Sequence, residues 1–253
     1  MAVIDADAHV VEWERTWEYM DEGERAFAPH VMVFKDPVQK PSGQRASEYW
    51  MIGGRVFAKD GNIGFDIARE RREAADIEAR IAHLDELGID VQVLYPSLFL
   101  RTLTSLPHVD AALCRSYNRW LADIWKVGKG RLRWVVIPPL HYIDKAVEEL
   151  NFGKTDGACG VFIRGVEGDK LPTDPYFFPV YEEANRGYGC PYACTPRRAT
   201  WRCLISSAAA PASPSSSSVR LIFLAVLSLP GCRKNFQTYA GRLSSSAPSG
   251  FPT

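Results

Sequence analysis

Asp7 and His9 are the two residues near the start of the chain whose types and spacing suit metal chemistry. They follow the apolar run 2–4, which predicts a strand, and side chains two residues apart on a strand point to the same face. Zinc accepts carboxylate oxygen and imidazole nitrogen, but a catalytic zinc normally has three protein ligands and a water. The pair therefore predicts part of a metal site, with a helix cap or a hydrogen-bonded rim pair as the alternatives.

Two further polar residues come directly after predicted strands, where they can face a substrate. His141 follows the apolar run 132–137, and Arg164 ends the run 160–164. We predict that both contact the substrate, Arg164 by holding a carboxylate. The alternatives are a loop histidine and a salt bridge across the sheet. Ser97 lacks the G-x-S-x-G setting of a nucleophile elbow, which argues against Ser-His-Asp hydrolysis.

The elements that must position these residues alternate between strand and helix along residues 1–186. Apolar runs of strand length are followed by segments whose apolar residues recur every three or four positions, as on one face of a helix. The order βαβαβαβα predicts an α/β fold with a parallel sheet covered by helices. The strands are predicted at 2–9, 91–95, 132–137 and 160–164, and the helices at 76–87, 113–124, 143–150 and 177–184.

Two architectures fit this order, an open doubly wound sheet and a closed (β/α)8 TIM barrel. A doubly wound nucleotide binder places a glycine-rich turn after its first strand, and residues 5–11 contain no glycine. We therefore predict the TIM-barrel type, of which residues 1–186 supply only the first four βα units. A hairpin insertion is predicted near residues 49–58, where Gly53-Gly54 separates two short apolar runs.

Residues 187–253 differ in composition from residues 1–186. The chain has 30 basic and 30 acidic residues, yet its last 67 residues contain seven basic residues and no Asp or Glu. They also hold four of the six cysteines, seven of the 17 prolines and twelve serines. No helical or strand period continues there. We therefore treat this segment as a separate, irregular tail that is not native to the fold.

Three explanations for the tail are open: a disordered basic arm, a small zinc module and a shifted reading frame. The four cysteines lack the paired C-x2-C spacing of zinc ribbons, which argues against the zinc module. Reading from the third base of the Gly187 codon permits Leu-Arg-Met-Pro-Val-Cys-Val-His-Ala, an apolar strand that ends in histidine. An acid-free sequence rich in Arg, Ser, Pro and Ala is typical of GC-rich DNA translated out of frame. A frameshift is therefore the favoured hypothesis.

Charge and apolar patterning exclude several classes of protein. The first ten residues carry two aspartates and no basic n-region, which argues against a secretory signal peptide. The longest apolar stretch, 221–229, is about half of a membrane-spanning helix. Two cysteines in residues 1–186 give no disulfide framework, and no basic stripe suggests nucleic acid. We expect a cytoplasmic protein whose partner is a small-molecule substrate.

Three segments resemble the amidohydrolase-related family, in the branch that contains aminocarboxymuconate semialdehyde decarboxylase and resorcylate decarboxylases. They are IDADAH at 4–9, RIAHLDELGIDVQVL at 80–94 and FFPVYEEAN at 177–185. The second segment is fairly specific, and the first gains weight from its position at the start of the chain. The resemblance runs from residue 2 to about residue 186.

The resemblance implies a metal-dependent (β/α)8 barrel enzyme that hydrolyses or decarboxylates small carbonyl or aromatic carboxylate compounds. Asp7 and His9 match the first-strand ligand pair of that family, and the metal is often zinc, with manganese as the alternative. The metal would polarise a substrate oxygen or activate water, while a general acid or base moves the proton.

The same family takes a further histidine ligand from the end of its fifth strand and an aspartate from its eighth. Nothing after Arg186 supplies either residue. Four strands also leave a barrel with unpaired edges, so the chain is expected to be truncated and inactive as it stands. The rival interpretation is a non-catalytic binding protein with a disordered basic tail.

Overall fold

A computed structural model describes residues 3–39, 45–59, 67–164, 167, 169–170 and 174–188. The predicted tail lies outside the described residues from position 189 onward. The described strands are β1 Ile4–Val10, β2 His30–Gln39, β3 Arg45–Ile52, β4 Arg55–Ala58, β5 Val91–Pro96, β6 Leu132–Val136 and β7 Ala158–Val161. The described α-helices are α1 Arg69–Arg72, α2 Ile77–Glu86, α3 Pro107–Val127, α4 Ile143–Thr155 and α5 Phe178–Tyr188.

The strands β1, β5, β6 and β7 form an all-parallel sheet in that order. Ile4 of β1 pairs with Val91 of β5, and Gln92 of β5 pairs with Leu132 of β6. The long helices α2, α3, α4 and α5 follow these strands in turn, so each strand and its helix make one βα unit. The predicted βαβαβαβα order and the parallel sheet are confirmed.

The predicted hairpin is present and belongs to a separate antiparallel sheet with the order β2-β3-β4. Gly53 and Gly54 connect β3 to β4 with φ angles of 54° and 79°. Positive φ at both central residues gives a turn that matches the twist of the flanking strands. The sequence prediction lacks β2, because the polar residues at 35–37 interrupt its apolar pattern, and the pairing of β2 with β3 shifts register between Val33 and Val38.

Helix α2 begins and ends at residues suited to those positions. The Asp76 carboxylate accepts a hydrogen bond from the Ala79 amide at 2.9 Å, which satisfies an N–H group of the first turn. Gly88 follows the helix with a φ of 66°, a left-handed conformation that favours glycine. The strand β5 can therefore start three residues later, as the sequence predicts.

The boundary predicted after Arg186 falls inside helix α5. The helix continues through Tyr188, whose hydroxyl donates to the Leu150 carbonyl of α4 at 3.0 Å. Tyr188 also packs against the hydrophobic core.

The hydrophobic core lies between the parallel sheet and the helices that cover it. Leu94 and Trp134 are partners in the register of β5 and β6, and both are fully buried. Helix α3 contributes Leu113, Tyr117 and Leu121 from positions four residues apart on one face, and all three are also fully buried. This packing fixes α3 against the sheet. Among the described residues, no helix is both long and apolar enough to cross a membrane.

Gly157 joins α4 to β7 with a φ of 84°. A Cβ atom there would lie 2.2 Å from Cε2 of Trp125 on α3. We expect Gly157→Ala to lower the free energy of unfolding by about 3 kcal/mol, because left-handed strain and overpacking add. Gly130→Ala is the matched control, since it has a φ of 74° but its Cβ meets none of the described atoms within 4 Å. Urea denaturation should show a loss of about 1 kcal/mol for the control, and equal losses would contradict the overlap.

Candidate functional site

The predicted site residues all lie at the carboxyl-terminal ends of the four parallel strands. Asp7 and His9 lie near the end of β1, His141 follows β6, and Arg164 follows β7. Because β1 and β7 are the opposite edges of this sheet, three strand spacings, about 14 Å, separate them. The site residues therefore form two groups, one around His9 and one around His141 and Arg164.

A bulge in β1 determines which face its acidic residues occupy. Between Asp5 and Ala8, two residues of β1 oppose one residue of β5. Asp5 accepts a hydrogen bond from Gln92 Nε2 at 2.9 Å, whereas Asp7 and His9 are half-buried on either side of the buried Ala8. Asp7 and His9 therefore share a face of the strand.

The His9 ring is held through its Nδ1 atom, which lies 2.8 Å from the carbonyl oxygen of Pro96 at the end of β5. A carbonyl oxygen only accepts, so Nδ1 carries the proton, and the lone pair of the neutral ring is at Nε2. Metal-binding histidines commonly donate their second ring nitrogen to a carbonyl in this way, because it fixes the tautomer and the ring orientation. In this geometry a neutral His9 ring offers its acceptor lone pair at Nε2.

Asp7 presents a carboxylate oxygen with unmet bonding capacity. Its Oδ1 atom is buried and accepts no hydrogen bond within the described part of the chain. A buried carboxylate oxygen is costly without a partner, and a cation is one partner that satisfies it. With the imidazole of His9, this oxygen fits the donor chemistry of zinc. Within the described residues, no group of three or more His, Cys, Asp or Glu side chains is placed to hold a metal, so Asp7 and His9 offer at most two donor groups to one.

His141 pairs with Asp110, which lies in the first turn of α3. Nδ1 of His141 is 3.2 Å from Oδ2 of Asp110, and Asp110 is 2% exposed. The hydrogen bond to Asp110 raises the pKa of His141 above its ordinary value, although burial opposes this effect. A histidine held by a buried carboxylate at Nδ1 can take or give a proton at Nε2, which is the behaviour of a general acid or base.

The raised pKa of His141 gives a testable pH dependence. We expect Asp110→Asn to lower this pKa, since the neutral amide stabilises the imidazolium less than the carboxylate does. In the native protein, the stability from this pair is fully present below the unfolded histidine pKa of about 6.5 and is lost as pH rises through the raised folded value. An NMR titration of the His141 ring measures both pKa values, and identical titration curves would contradict the pairing. Glu167→Gln is the control, because Glu167 has a smaller effect on His141.

Arg164 is buried and forms a salt bridge with Glu167, three residues further along the chain, rather than with a residue across the sheet. Its Nη2 atom donates to Glu167 at 2.7 Å, and its Nη1 atom donates to the Phe99 carbonyl at 3.1 Å. Burial is the largest single effect and lowers the pKa of Arg164, but the charge and hydrogen bond of Glu167 together with the charge of Asp110 raise it, and the net shift is upward. Contact between Arg164 and a substrate stays a prediction.

A shallow crevice lies beside this ion pair at the rim of the sheet. Its walls come from the segments after β6 and β7 and from the start of α5, namely Leu140, Ile163, Arg164, Glu167, Phe177 and Tyr181. Four of these six side chains are apolar or aromatic. Arg164 and Glu167 also act electrostatically on the nearby His141. The crevice therefore combines apolar walls with one ion pair, and His141 lies outside its lining.

Two buried ionisable residues near the predicted metal pair are missing from the sequence prediction. Glu12 is fully buried, and burial raises its pKa to about 8, although hydrogen bonds from the Ser97 and Leu98 amides oppose this. Arg80 donates through Nη2 to the His9 carbonyl at 3.0 Å, and burial lowers its pKa to about 10. The sequence signal at both positions is a charged residue between two apolar neighbours.

Comparison with known proteins relates the chain to solved amidohydrolase structures. An amidohydrolase from Mycobacterium avium subsp. paratuberculosis K-10 aligns with a TM-score of 0.55 and 20% identity, over 74% of this chain and 56% of that one. A 5-carboxyvanillate decarboxylase from Sphingomonas paucimobilis aligns at 0.47 and 16% identity, over 74% and 49%. IDCase from Metarhizium anisopliae aligns at 0.48 and 16% identity, over 74% and 48%. No protein-family model and no curated protein sequence matches the chain.

The alignment with the amidohydrolase from Mycobacterium avium subsp. paratuberculosis K-10 establishes the fold. The order and direction of the strands fit consecutive βα units of a TIM barrel. The chain spans about half the length of the structures that it matches. The described residues therefore have the fold of part of an amidohydrolase-type barrel, as the sequence predicts.

Proposed function

We propose that this chain is the amino-terminal part of a cytoplasmic, metal-dependent hydrolase or decarboxylase of the amidohydrolase type. Its substrate is a small carbonyl compound or an aromatic carboxylate, and its metal is zinc, with manganese as the alternative. The fold that the chain shares with the amidohydrolase from Mycobacterium avium supports this class of protein. The name of one similar structure, a 5-carboxyvanillate decarboxylase, is consistent with this substrate class.

The observation that carries the proposal is the pair of donors at the end of β1. Asp7 has a buried Oδ1 atom without a hydrogen-bond partner in the described residues, and His9 has its Nδ1 atom engaged by a carbonyl. A structural rim pair would be expected to use such an oxygen in a hydrogen bond. The two side chains instead suit a shared cation at the strand end, where barrel enzymes assemble their sites.

Asp7 Oδ1 and His9 Nε2 would hold the metal. A bound divalent metal would polarise a substrate oxygen or lower the pKa of a water molecule. The Pro96 carbonyl keeps the His9 ring oriented, and Arg80 holds the adjacent backbone through the His9 carbonyl. The protein thus restricts the orientation of His9 before the metal binds.

His141 and Arg164 are proposed to act on the substrate from the other group. The pairing of Nδ1 with Asp110 favours the protonated His141 ring, and that ring transfers the proton at its other nitrogen, Nε2. Arg164 binds a substrate carboxylate in exchange for Glu167, beside the apolar walls of the crevice. Since His141 and Arg164 follow neighbouring strands, one small substrate can contact both residues.

The remaining ligands of the metal site are proposed to be encoded in the gene in a different reading frame. A catalytic zinc needs at least one protein ligand besides Asp7 and His9, and a barrel needs eight strands. Residues 187–253 contain no histidine and no acidic residue. Reading from the third base of the Gly187 codon permits a strand that ends in histidine.

The DNA sequence across codons 180–200 tests the shifted frame directly. We expect the alternative frame to continue through further βα units, with acidic residues and a late aspartate. A stop codon within a few dozen triplets would contradict the frameshift. The tail would then be genuine, and the binding-protein interpretation would move ahead of the enzyme.

Metal content tests the catalytic class. We expect the frame-restored protein, purified without chelator, to contain about one zinc or manganese ion per chain by elemental analysis. The 253-residue chain should bind either metal weakly or not at all, because two ligands do not complete a catalytic site. A frame-restored protein that folds but contains no metal would overturn the proposal.

A further inference from the structure

The fully buried Glu12 side chain spans the gap between the ends of β1 and β5. Its Oε1 atom accepts a hydrogen bond from the Ser97 amide at 3.1 Å, and its Oε2 atom accepts one from the Leu98 amide at 2.9 Å. The Ser97 hydroxyl donates in return to the Val10 carbonyl at 2.8 Å. Three hydrogen bonds therefore join the two strand ends around this carboxyl group.

The Ser97 amide belongs to the same peptide unit as the Pro96 carbonyl. That carbonyl is the group that lies 2.8 Å from Nδ1 of His9. A peptide unit is planar and rotates as one body, so the direction of its N–H bond fixes the direction of its C=O bond. Glu12 and His9 therefore hold opposite ends of one rigid group.

We propose that Glu12 is a positioning residue for His9, because it fixes the Pro96–Ser97 peptide unit whose carbonyl selects the Nδ1-protonated ring. Hydrogen bonds in a chain polarise one another, so a bond accepted by Glu12 also strengthens the acceptor facing His9. A firmer bond at Nδ1 makes Nε2 a better donor to a metal. The metal-binding part of this inference rests on the proposed function, whereas the effect on the His9 ring does not.

The experiment uses the 253-residue chain with isotope-labelled histidine and the variant Glu12→Gln. Long-range proton–nitrogen NMR spectra at pH 8 report which ring nitrogen carries the proton, and the His9→Ala variant identifies the His9 signals. We expect wild-type His9 to be protonated at Nδ1. In Glu12→Gln one amide loses its acceptor, so the Nε2-protonated form should gain population and the signals should broaden.

Glu149→Gln is the matched control for a general loss of stability. Glu149 is also a buried carboxylate, and it accepts hydrogen bonds from Asn118 and Arg119 at 2.8 and 2.7 Å. Its loss should destabilise the protein without moving the His9 signals. If Glu12→Gln does not fold, Glu12→Asp withdraws the carboxyl by one methylene and should cause the same change to a smaller extent.

The second readout is the zinc affinity of the frame-restored wild-type and Glu12→Gln proteins, measured by isothermal titration calorimetry. We expect Glu12→Gln to weaken zinc binding by about 10- to 100-fold, as found for residues that support metal-bound histidines. A folded Glu12 variant with unchanged His9 protonation overturns the proposal, as does an equal change in Glu149→Gln. Frame-restored wild-type protein that binds no zinc tells against the proposed function, while the NMR result on the 253-residue chain still decides the role of Glu12.

Discussion

Arg164→Met lowers the free energy of unfolding by about 3–5 kcal/mol, because it leaves the buried Glu167 carboxylate without its cation. In the native protein, Nη2 of Arg164 donates to Glu167 at 2.7 Å, and both side chains are 3% exposed. Met keeps much of the apolar stem of Arg, so the loss reports mainly the missing charge rather than a cavity. Urea denaturation at pH 7 measures it.

The loss should depend on pH in a defined direction. Burial raises the pKa of Glu167, and the positive charge of Arg164 opposes that rise in the native protein. Without Arg164 the pKa rises further. A carboxyl group with a raised folded pKa contributes stability below its unfolded pKa of about 4.3, and this contribution is lost as pH rises through the folded pKa. Arg164→Met should therefore be less destabilised at pH 5 than at pH 8.

Two comparisons isolate the buried charge. The double variant Arg164→Met with Glu167→Leu removes both charges and should recover most of the lost stability. Lys145→Met removes an exposed partner of Glu148, whose side chain is 59% exposed, and should cost less than about 1 kcal/mol. If Arg164→Met costs no more than Lys145→Met, the ion pair is not buried as the structure has it.

The parallel sheet could be predicted from the sequence because each βα unit has a recognisable hydrophobic period in its own residues. At the junction of the first and second units, the residues of α2 have a helical period that ends at Gly88. The run from Val91 to Tyr95 then has the apolar character of a strand. Such a period depends only on residues within one element, so it can be recognised without knowledge of the tertiary structure. β2 escaped prediction because its apolar residues do not keep a single period through 35–37.

The contact partners within the site could not be predicted. The hydrophobic period of a helix or strand shows which face is buried, but not which residue of another element that face contacts. Asp110 and His141 are 31 residues apart, and Glu12 and Ser97 are 85 residues apart. Each pair joins two elements whose relative position only the folded sheet defines. Asp7 and His9 were predictable because both lie on one strand and their two-residue spacing is itself the geometry.

The variant Asp7→Asn with His9→Ala should abolish turnover in the frame-restored protein and remove its bound zinc or manganese. Loss of both ligands removes the Lewis acid, which supplies several kcal/mol of transition-state stabilisation. A loss of about 4 kcal/mol corresponds to about a 10³-fold lower rate. Elemental analysis and a turnover assay on the same preparation measure metal and activity together.

Asp5→Asn is the matched control on the same strand. Asp5 lies on the other side of the β1 bulge and accepts a hydrogen bond from Gln92, which Asn can also accept, so metal and turnover should be retained. A double variant of Asp7 and His9 that kept its full metal content would show that the two residues are structural. The buried Oδ1 atom of Asp7 would then need a partner other than a metal, and the proposed site would have to lie elsewhere on the rim.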